Sequence, residues 1–177
     1  MVIEVDWATN GDWPVFQSWR SLNSTASDFV FIWHRNGMWG ATPPVVAKVD
    51  GKTVGFHAVT FLKNGYINSQ FQFVLEEYRG MGLAGAMVDM FLRDGYERRM
   101  KRLRFRTPKG NDGNRFWCGF GITPIGETED RYVFDLSVEG VTCLDDLIRN
   151  VKVLCASKPT DKRTLGYYKR SGTTLYD

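Results

Sequence analysis

The chain has 177 residues and a formal net charge of +3, and 43% of its residues are hydrophobic and 24% charged, which is typical of one soluble globular domain with or without an appendage. No apolar run approaches the roughly 20 residues that span a bilayer, and the N-terminus lacks the basic and apolar regions of a signal peptide. Three separate cysteines and two histidines argue against a metal cluster and favour a reducing cytoplasm.

The first third of the chain predicts one strand and two aromatic helices. We expect the strand over residues 2–7 and the helices over 13–23 and 27–36, with Ser27 and Asp28 at the start of the second helix. Five of the six tryptophans fall here: Trp7, Trp13, Trp19, Trp33 and Trp39. We expect most of these rings in the core, and the alternative is that they line a binding pocket.

Two turn dipeptides divide residues 45–74 into a three-stranded antiparallel meander. Asp50-Gly51 and Asn64-Gly65 suit two-residue hairpin turns, in which both central positions need positive φ. In the third strand, 66–74, the period of two separates apolar from polar side chains. One face then holds Ile67, Phe71 and Phe73, and the other holds Asn68, Gln70 and Gln72. The polar face predicts a wet cleft.

A crossover helix begins near Gly82, and the strand that follows it, 102–107, should therefore run parallel to the strand ending at Val74. A short helix over 111–118 and a final strand over 131–138 come next. Residues 93–106 carry seven basic and two acidic side chains. Such a run is usually a solvated face, and because few aromatic residues are interleaved with it, we expect no specific nucleic-acid binding.

Residues 139–177 look like an appendage to a domain formed by residues 1–138. The apolar stripe of 142–154 predicts a helix that must bury one face, and 157–162 is a plausible linker. The rest predicts an arm that docks on a partner protein or a sister subunit, with a frayed terminus as the alternative. Its contact residues would be Tyr167, Tyr168, Tyr176, Lys162, Arg163, Lys169 and Arg170.

The segment 73–85 carries the chemistry. A strand enters a glycine-rich turn and a helix starts at once, so unpaired helix N–H groups and the helix dipole favour an anion. Arg79 adds a cation with forked donors. Gly80 to Gly85 matches the dinucleotide pattern GxGxxG, but the hairpin-linked strands and Phe105, where an acidic residue belongs, do not suit it. A tight turn without ligand is a second reading. We favour a pyrophosphate site of the pattern Arg-x-x-Gly-x-Gly/Ala.

Tyr78-Arg79-Gly80-Met81-Gly82-Leu83-Ala84, after an apolar strand, resembles the signature of the GNAT superfamily of acyl-CoA-dependent N-acyltransferases. The order of elements over residues 2–138 is also similar to that family. The resemblance implies an α/β (α+β) fold with a GNAT-like mixed central sheet, an antiparallel meander and flanking helices, to which this chain adds a C-terminal helix and arm. The chain's departures from the pattern resemble tailed-phage proteins, so we expect a divergent, phage-type member.

The resemblance also implies roles for individual residues, with acetyl-CoA as co-substrate. Backbone amides of the loop would hold the CoA pyrophosphate, and pantetheine would pair with the preceding strand where it splays from its parallel neighbour. An N–H near Val74 would polarise the thioester carbonyl. The implied cofactor-binding residues are Phe73, Val74, Leu75, Arg79, Gly80, Met81, Gly82, Leu83, Ala84 and Gly85.

The catalytic groups are less defined. Trp117 stands where the family commonly has the Tyr that protonates the leaving thiolate, and an indole is no comparable acid. The neighbouring Cys118 is an alternative proton donor, although the simpler interpretation is that it is a small buried hydrophobic residue. Glu76 and Glu77 are placed to be the general base, although solvated turn charge is the simpler reading. His57 is more often a packed histidine than a catalyst.

Two functional hypotheses follow. The first is an N-acetyltransferase that moves an acetyl group from acetyl-CoA to a primary amine of a small molecule or protein by direct attack. The second is a catalytically silent GNAT-fold structural or interaction protein, such as a phage virion component, that uses the C-terminal arm. The first places the protein in the cytoplasm and the second in a virion, and neither involves a membrane.

Overall fold

The computed structural model describes residues 1–35, 42–154 and 162–176. They form two compact units, Met1–Thr60 with Ser69–Asp94, and Phe61–Asn68 with Gly95–Asp177. Trp39 and most of the predicted linker, 157–162, lie outside the described residues. The side chains of Trp33, Lys162 and Arg163 are also not described, so the expectations for them stay predictions. No helix in the described part of the chain is both long and apolar enough to cross a membrane.

The first unit contains the N-terminal helices, most of the meander and most of the crossover helix, with strand order β1-β2-β3-β4. Its elements are β1 (Ile3–Trp7), α1 (Trp13–Ser18), α2 (Ser24–Arg35), β2 (Val45–Val49), β3 (Lys52–Phe61), β4 (Tyr66–Val74) and α3 (Leu83–Glu97). The expected start of the second helix at Ser27 is wrong. Asn23 directly precedes α2, and its Oδ1 accepts a hydrogen bond from the Ala26 N–H at 2.8 Å, which caps α2 three residues earlier than expected.

The predicted meander is confirmed, and its two turns differ. Asp50 and Gly51 have φ of 47° and 76°, as a two-residue hairpin turn requires. In the second turn only Gly65, with φ of 84°, is left-handed. The Gly65 N–H donates to the Leu62 carbonyl and the Leu62 N–H to that of Tyr66. This loop is therefore longer than the predicted two residues.

Aromatic side chains form the core of the first unit. Phe16, Phe29 and Phe56 are fully buried, and the rings of Phe29 and Phe56 stack with centroids 4.1 Å apart. Trp19 is 5% exposed and its ring lies 5.5 Å from that of Phe73. Burying each such side chain contributes roughly 1.5–3 kcal/mol, and the expectation of core packing is confirmed for Trp19.

The predicted division of β4 into one apolar and one polar face is wrong. Ser69 reaches His57, whose ring contacts Phe91 of α3. Two residues later, Phe71 contacts Phe29 of α2, so it lies on the opposite face. The strict alternation of β4 is therefore interrupted between Ser69 and Phe71, as an inserted residue would cause.

Beyond the interruption, the polar side chains no longer form one wet face. Phe73 continues on the face of Phe71 and contacts Trp19. Gln72 lies on the other face, where its Nε2 donates to the carbonyl of Ala84 in α3.

The second unit contains the remaining strands in the order β4-β5-β7-β6-β8. Its elements are β5 (Arg102–Pro108), α4 (Asp112–Gly119), β6 (Gly126–Glu127), β7 (Arg131–Ser137), α5 (Leu144–Leu154), α6 (Lys162–Arg170) and β8 (Thr174–Leu175). The predicted parallel pairing across the crossover helix is confirmed, because Tyr66, Ile67 and Asn68 pair in parallel with Arg102, Leu103 and Arg104. The mixed sheet with flanking helices agrees with the expected fold class.

The C-terminal segment is built into the second unit. Leu147 of α5 is fully buried, and β8 pairs antiparallel with β6. Tyr168 is 1% exposed and donates to Asp135 of β7. The expectation that Tyr168 contacts a partner is therefore wrong, because its own chain covers it. Tyr167 and Tyr176 remain exposed, at 38% and 36%, and a role for them in assembly stays a prediction.

Candidate functional site

The loop between β4 and α3 lies within the first unit and is shaped by short local hydrogen bonds. After β4 ends, Glu76–Tyr78 form a single 3₁₀ turn, in which the Tyr78 N–H donates to the Leu75 carbonyl at 3.0 Å. The first hydrogen bond that enters α3 runs from the Ala86 N–H to the Gly82 carbonyl. The N–H groups of residues 83–85 thus precede the helical ladder, which is where helices bind anions.

Two glycines give this loop its open backbone. Gly80 and Gly82 have φ of 79° and 78°, a conformation in which a side chain is strained. A Cβ built on either glycine would meet no atom within 4 Å. Because both residues are exposed, a ligand can approach the backbone here closely.

Two side chains tie the loop to the strand before it. Arg79 is exposed, and its Nε donates to the Val74 carbonyl at 3.2 Å, which holds the guanidinium beside the end of β4. The Gln72 amide donates to the Ala84 carbonyl at 3.3 Å. This contact of Gln72 was not predicted from the sequence, because the side chain was expected to line a wet cleft.

At the end of β4, the backbone groups on one edge of the strand are hydrogen-bonded to β3, and those on the other edge point away from β3. The Leu75 N–H donates to the Val54 carbonyl of β3 at 2.9 Å. Because successive backbone groups of a strand point to opposite edges, the Val74 N–H points away from β3. Of the backbone groups predicted to contact the thioester, the Leu75 N–H is therefore already hydrogen-bonded within the sheet.

The dinucleotide interpretation of the same loop does not fit the structure. The strands before the loop form an antiparallel meander rather than a parallel sheet, as the pairing of β2 with β3 shows. Phe105, at the position where that interpretation needs an acidic residue, is 4% exposed.

The predicted catalytic residues lie in two different settings. Glu76 and Glu77 are exposed in the 3₁₀ turn. Trp117 is 3% exposed and stacks on Phe105 with a centroid distance of 4.4 Å, so it is part of the core of the second unit. Cys118 is exposed and its Sγ lies 3.4 Å from Asn114 Oδ1; partial burial raises the pKa of this thiol.

His57 is a packed histidine, as expected. It is 1% exposed, and burial lowers its pKa to about 3. Its Nε2 lies 2.7 Å from Oγ of Ser69. Sequence reasoning did not identify this partner, because the two residues are joined only by the pairing of β3 with β4.

A second buried polar group in the first unit supports the N-terminal helices. Asp12 is 3% exposed and accepts hydrogen bonds from Thr53 Oγ1 at 2.7 Å and from the Thr9 N–H at 2.8 Å. Lys48 Nζ lies 3.1 Å away. Burial alone would raise the pKa of Asp12, but these partners together lower it. This group is structural.

The meander, the glycine-rich loop and the crossover helix together define an acyltransferase fold of the GNAT type. The sequence matches the Acetyltransferase (GNAT) family over residues 7–120, and the chain belongs to that family. No curated protein matches it.

Solved structures of N-acetyltransferases share the fold. PaiA N-acetyltransferase from Thermoplasma acidophilum, in complex with coenzyme A, has a TM-score of 0.62 at 13% identity, over 76% of this chain and 98% of that one. The ribosomal-protein-S18-alanine N-acetyltransferase from Escherichia coli has a TM-score of 0.63 at 11% identity, over 78% and 95%. Arabidopsis thaliana Naa50, with the bisubstrate analogue CoA-Ac-MVNAL, has a TM-score of 0.54 at 17% identity, over 76% and 98%. At these identities the likeness concerns the fold.

Proposed function

We propose that this protein transfers an acetyl group from acetyl-CoA to a primary amine of a small molecule or protein. The observation that carries the proposal is the open loop from Arg79 to Gly85. Two left-handed glycines expose its backbone, and α3 begins at Leu83. The co-substrate agrees with PaiA, which was solved with coenzyme A.

In the proposed complex, the loop binds the CoA pyrophosphate. Backbone N–H groups from Arg79 to Ala84 donate to the phosphate oxygens, and the helix dipole adds favourable potential. The Arg79 guanidinium, held beside Val74, supplies a charge-assisted contact. The free edge of β4 at Val74 faces the pantetheine arm, and the Val74 N–H donates to the thioester oxygen as negative charge develops there.

The chemistry is a direct attack without a covalent enzyme intermediate. The neutral amine forms a bond to the carbonyl carbon, the carbon–sulfur bond breaks, and CoA leaves as a thiolate, while the nitrogen gives up its second proton to water or to the departing thiolate. An ordinary thiol pKa of about 8.5 makes that thiolate a stable leaving group near neutral pH, so the reaction does not need an acid at Trp117. We propose that Glu76 or Glu77 accepts the ammonium proton, directly or through water.

The second candidate is a GNAT-fold protein that binds partners and does not turn over, including the phage virion component expected from the sequence. The specific observation in its favour is Trp117, which is buried at the position of the family's usual proton donor.

A thiol-release assay tests the proposal. Purified protein is incubated with acetyl-CoA and a panel of acceptors: polyamines, peptides with a free N-terminus and peptides that contain lysine. The free thiol of CoA is then measured and compared with a control that has no acceptor. Acceptor-dependent release supports the transferase. CoA binding without release for any acceptor supports the second candidate, and the absence of CoA binding contradicts both the cofactor and the loop assignment.

A further inference from the structure

A buried hydrogen-bonded pair joins β3 to β4 in the first unit. His57 Nε2 and Ser69 Oγ are 2.7 Å apart, and the two residues are only 1% and 9% exposed. The imidazole packs edge-on against Phe91 of α3, with ring centroids 4.9 Å apart. The pair therefore contacts β3, β4 and α3 at one place.

Burying this polar pair in the core lowers the stability of the fold. Nδ1 of His57 is buried and has no hydrogen-bond partner, and an unsatisfied buried polar atom destabilises a fold. Two apolar side chains would fill the same place without this cost. What a polar pair adds is geometry, because a hydrogen bond fixes distance and direction where apolar contact does not.

The geometry that the pair fixes lies directly before the thioester end of β4. Ser69 is the last residue on the α3 face before the interruption, and Phe71 already lies on the face of Phe29. The direction of the Val74 N–H depends on where this interruption occurs, since a shift of one residue reverses the edge to which every later backbone group points.

Phe91 extends this arrangement to the helix whose first turn carries the anion-binding loop. Gln72 makes a second tie between the same two elements, through its hydrogen bond to Ala84. The pair and Gln72 thus set the end of β4 relative to the start of α3.

We propose that His57 and Ser69 are positioning residues for acetyl transfer, which hold the interruption of β4 in place so that the Val74 N–H faces the thioester. This inference rests on the proposed transferase function. Neither side chain touches the co-substrate in the proposed complex, and the pyrophosphate loop keeps its own local hydrogen bonds, from the Tyr78 N–H to the Leu75 carbonyl and from the Ala86 N–H to the Gly82 carbonyl. Their removal should therefore affect turnover more than CoA binding.

Three variants test the inference. Ser69→Ala removes the hydroxyl, Ser69→Thr keeps it, and the double variant His57→Leu/Ser69→Ala replaces both partners with apolar groups, which is often nearly neutral for stability. The matched control is Tyr168→Phe, which removes a buried hydroxyl hydrogen bond in the second unit. Each is compared with wild type by CoA calorimetry, by kcat and KM for acetyl-CoA, and by the thermal midpoint.

We expect Ser69→Ala and the double variant to keep the CoA Kd within about threefold, while kcat per folded enzyme falls at least about tenfold, a loss typical of misplaced transition-state contacts. The double variant should do so with a thermal midpoint close to wild type. Ser69→Thr should recover most of the rate, and Tyr168→Phe should lose stability but not kcat. A double variant with wild-type kcat overturns the inference, as does a fall in kcat that simply follows the thermal midpoint in all variants.

Amide hydrogen exchange of Leu75, whose N–H donates to the Val54 carbonyl next to Val74, is measured without any substrate and separates this inference from the proposed function. Faster exchange in Ser69→Ala, but not in Tyr168→Phe, supports the positioning role even if no acceptor is found. Unchanged exchange in Ser69→Ala overturns the positioning role and leaves the transferase assignment standing.

Discussion

The Tyr168 hydroxyl donates to Oδ2 of Asp135 at 2.5 Å, and both side chains are buried. The other carboxylate oxygen, Oδ1, accepts from Nε of Arg102 at the same distance. Burial raises the pKa of Asp135, and the partners oppose this only in part. The contact joins α6 to β7, so the C-terminal segment satisfies a buried carboxylate of the sheet.

Replacing Tyr168 with Phe should lower the free energy of unfolding by about 1–3 kcal/mol, because one oxygen of Asp135 loses its donor while still buried. Denaturant unfolding measures the loss. The matched control is Tyr167→Phe, whose side chain is 38% exposed; it keeps the ring that stacks on Arg104 and should change stability by less than about 0.5 kcal/mol. Equal losses in the two variants would contradict this role of Asp135.

His57 should make the stability of the protein depend on pH in the acidic range. Its pKa is about 3 in the folded state, against an ordinary value of 6.5. Between these values the unfolded chain binds a proton that the folded chain does not, so the free energy of unfolding falls as pH decreases, by up to about 1.4 kcal/mol per pH unit. Above pH 6.5 the contribution is fully retained.

The variant His57→Leu isolates that contribution. Carboxylates also titrate in this range, so the informative quantity is the difference between the wild-type and variant curves from pH 7 to pH 4. We expect the wild type to lose stability more steeply, and parallel curves would show that His57 is not buried in its neutral form.

Trp117→Phe tests whether this position has a chemical or a packing role. The indole stacks on Phe105 in the core, so the smaller ring should cost about 1–3 kcal/mol of unfolding free energy through lost contacts and a cavity. Because an indole donates no proton to a thiolate, kcat per folded enzyme should change by less than about threefold. A loss of kcat of about a hundredfold, with stability preserved, would make Trp117 part of the reaction.

Arg79→Ala should weaken CoA binding without abolishing it. Loss of a charge-assisted contact of about 1.5–3 kcal/mol corresponds to a Kd roughly 10- to 100-fold higher, while the backbone donors remain. Arg93→Ala, which removes an exposed arginine on α3, is the control and should leave the Kd unchanged. Similar effects of both changes would indicate general charge attraction rather than a contact made by Arg79.

The sequence predicts correctly those turns and loops whose backbone conformation depends only on neighbouring residues. Asp50-Gly51 fixes its hairpin because both residues must be left-handed, and the loop from Arg79 to Gly85 is defined by glycines whose φ no other residue adopts easily. These features depend on backbone conformation within a few residues, so the sequence carries them directly.

Tertiary contacts determine the features that were predicted wrongly from the sequence. The alternation of β4 predicted one face for Ile67 and Phe71, but the pairing of Ser69 with His57 and the packing of Phe71 on Phe29 divide the strand between two faces. The role of Tyr168 was misjudged because it depends on Asp135, 33 residues earlier, and a polar tail next to basic residues is indistinguishable in sequence from a free arm.

Calorimetric titration of CoA into the wild type and into Gly82→Glu tests the central claim most directly. The new carboxylate would stand where the pyrophosphate binds, in a loop whose added Cβ meets no other atom, so sterics and charge both oppose the ligand. Gly51→Glu, at another left-handed glycine with open surroundings, controls for backbone strain and added charge. We expect CoA to bind to the wild type and to Gly51→Glu but not to Gly82→Glu; equal CoA affinity in all three proteins would contradict the assignment of this loop as the CoA site.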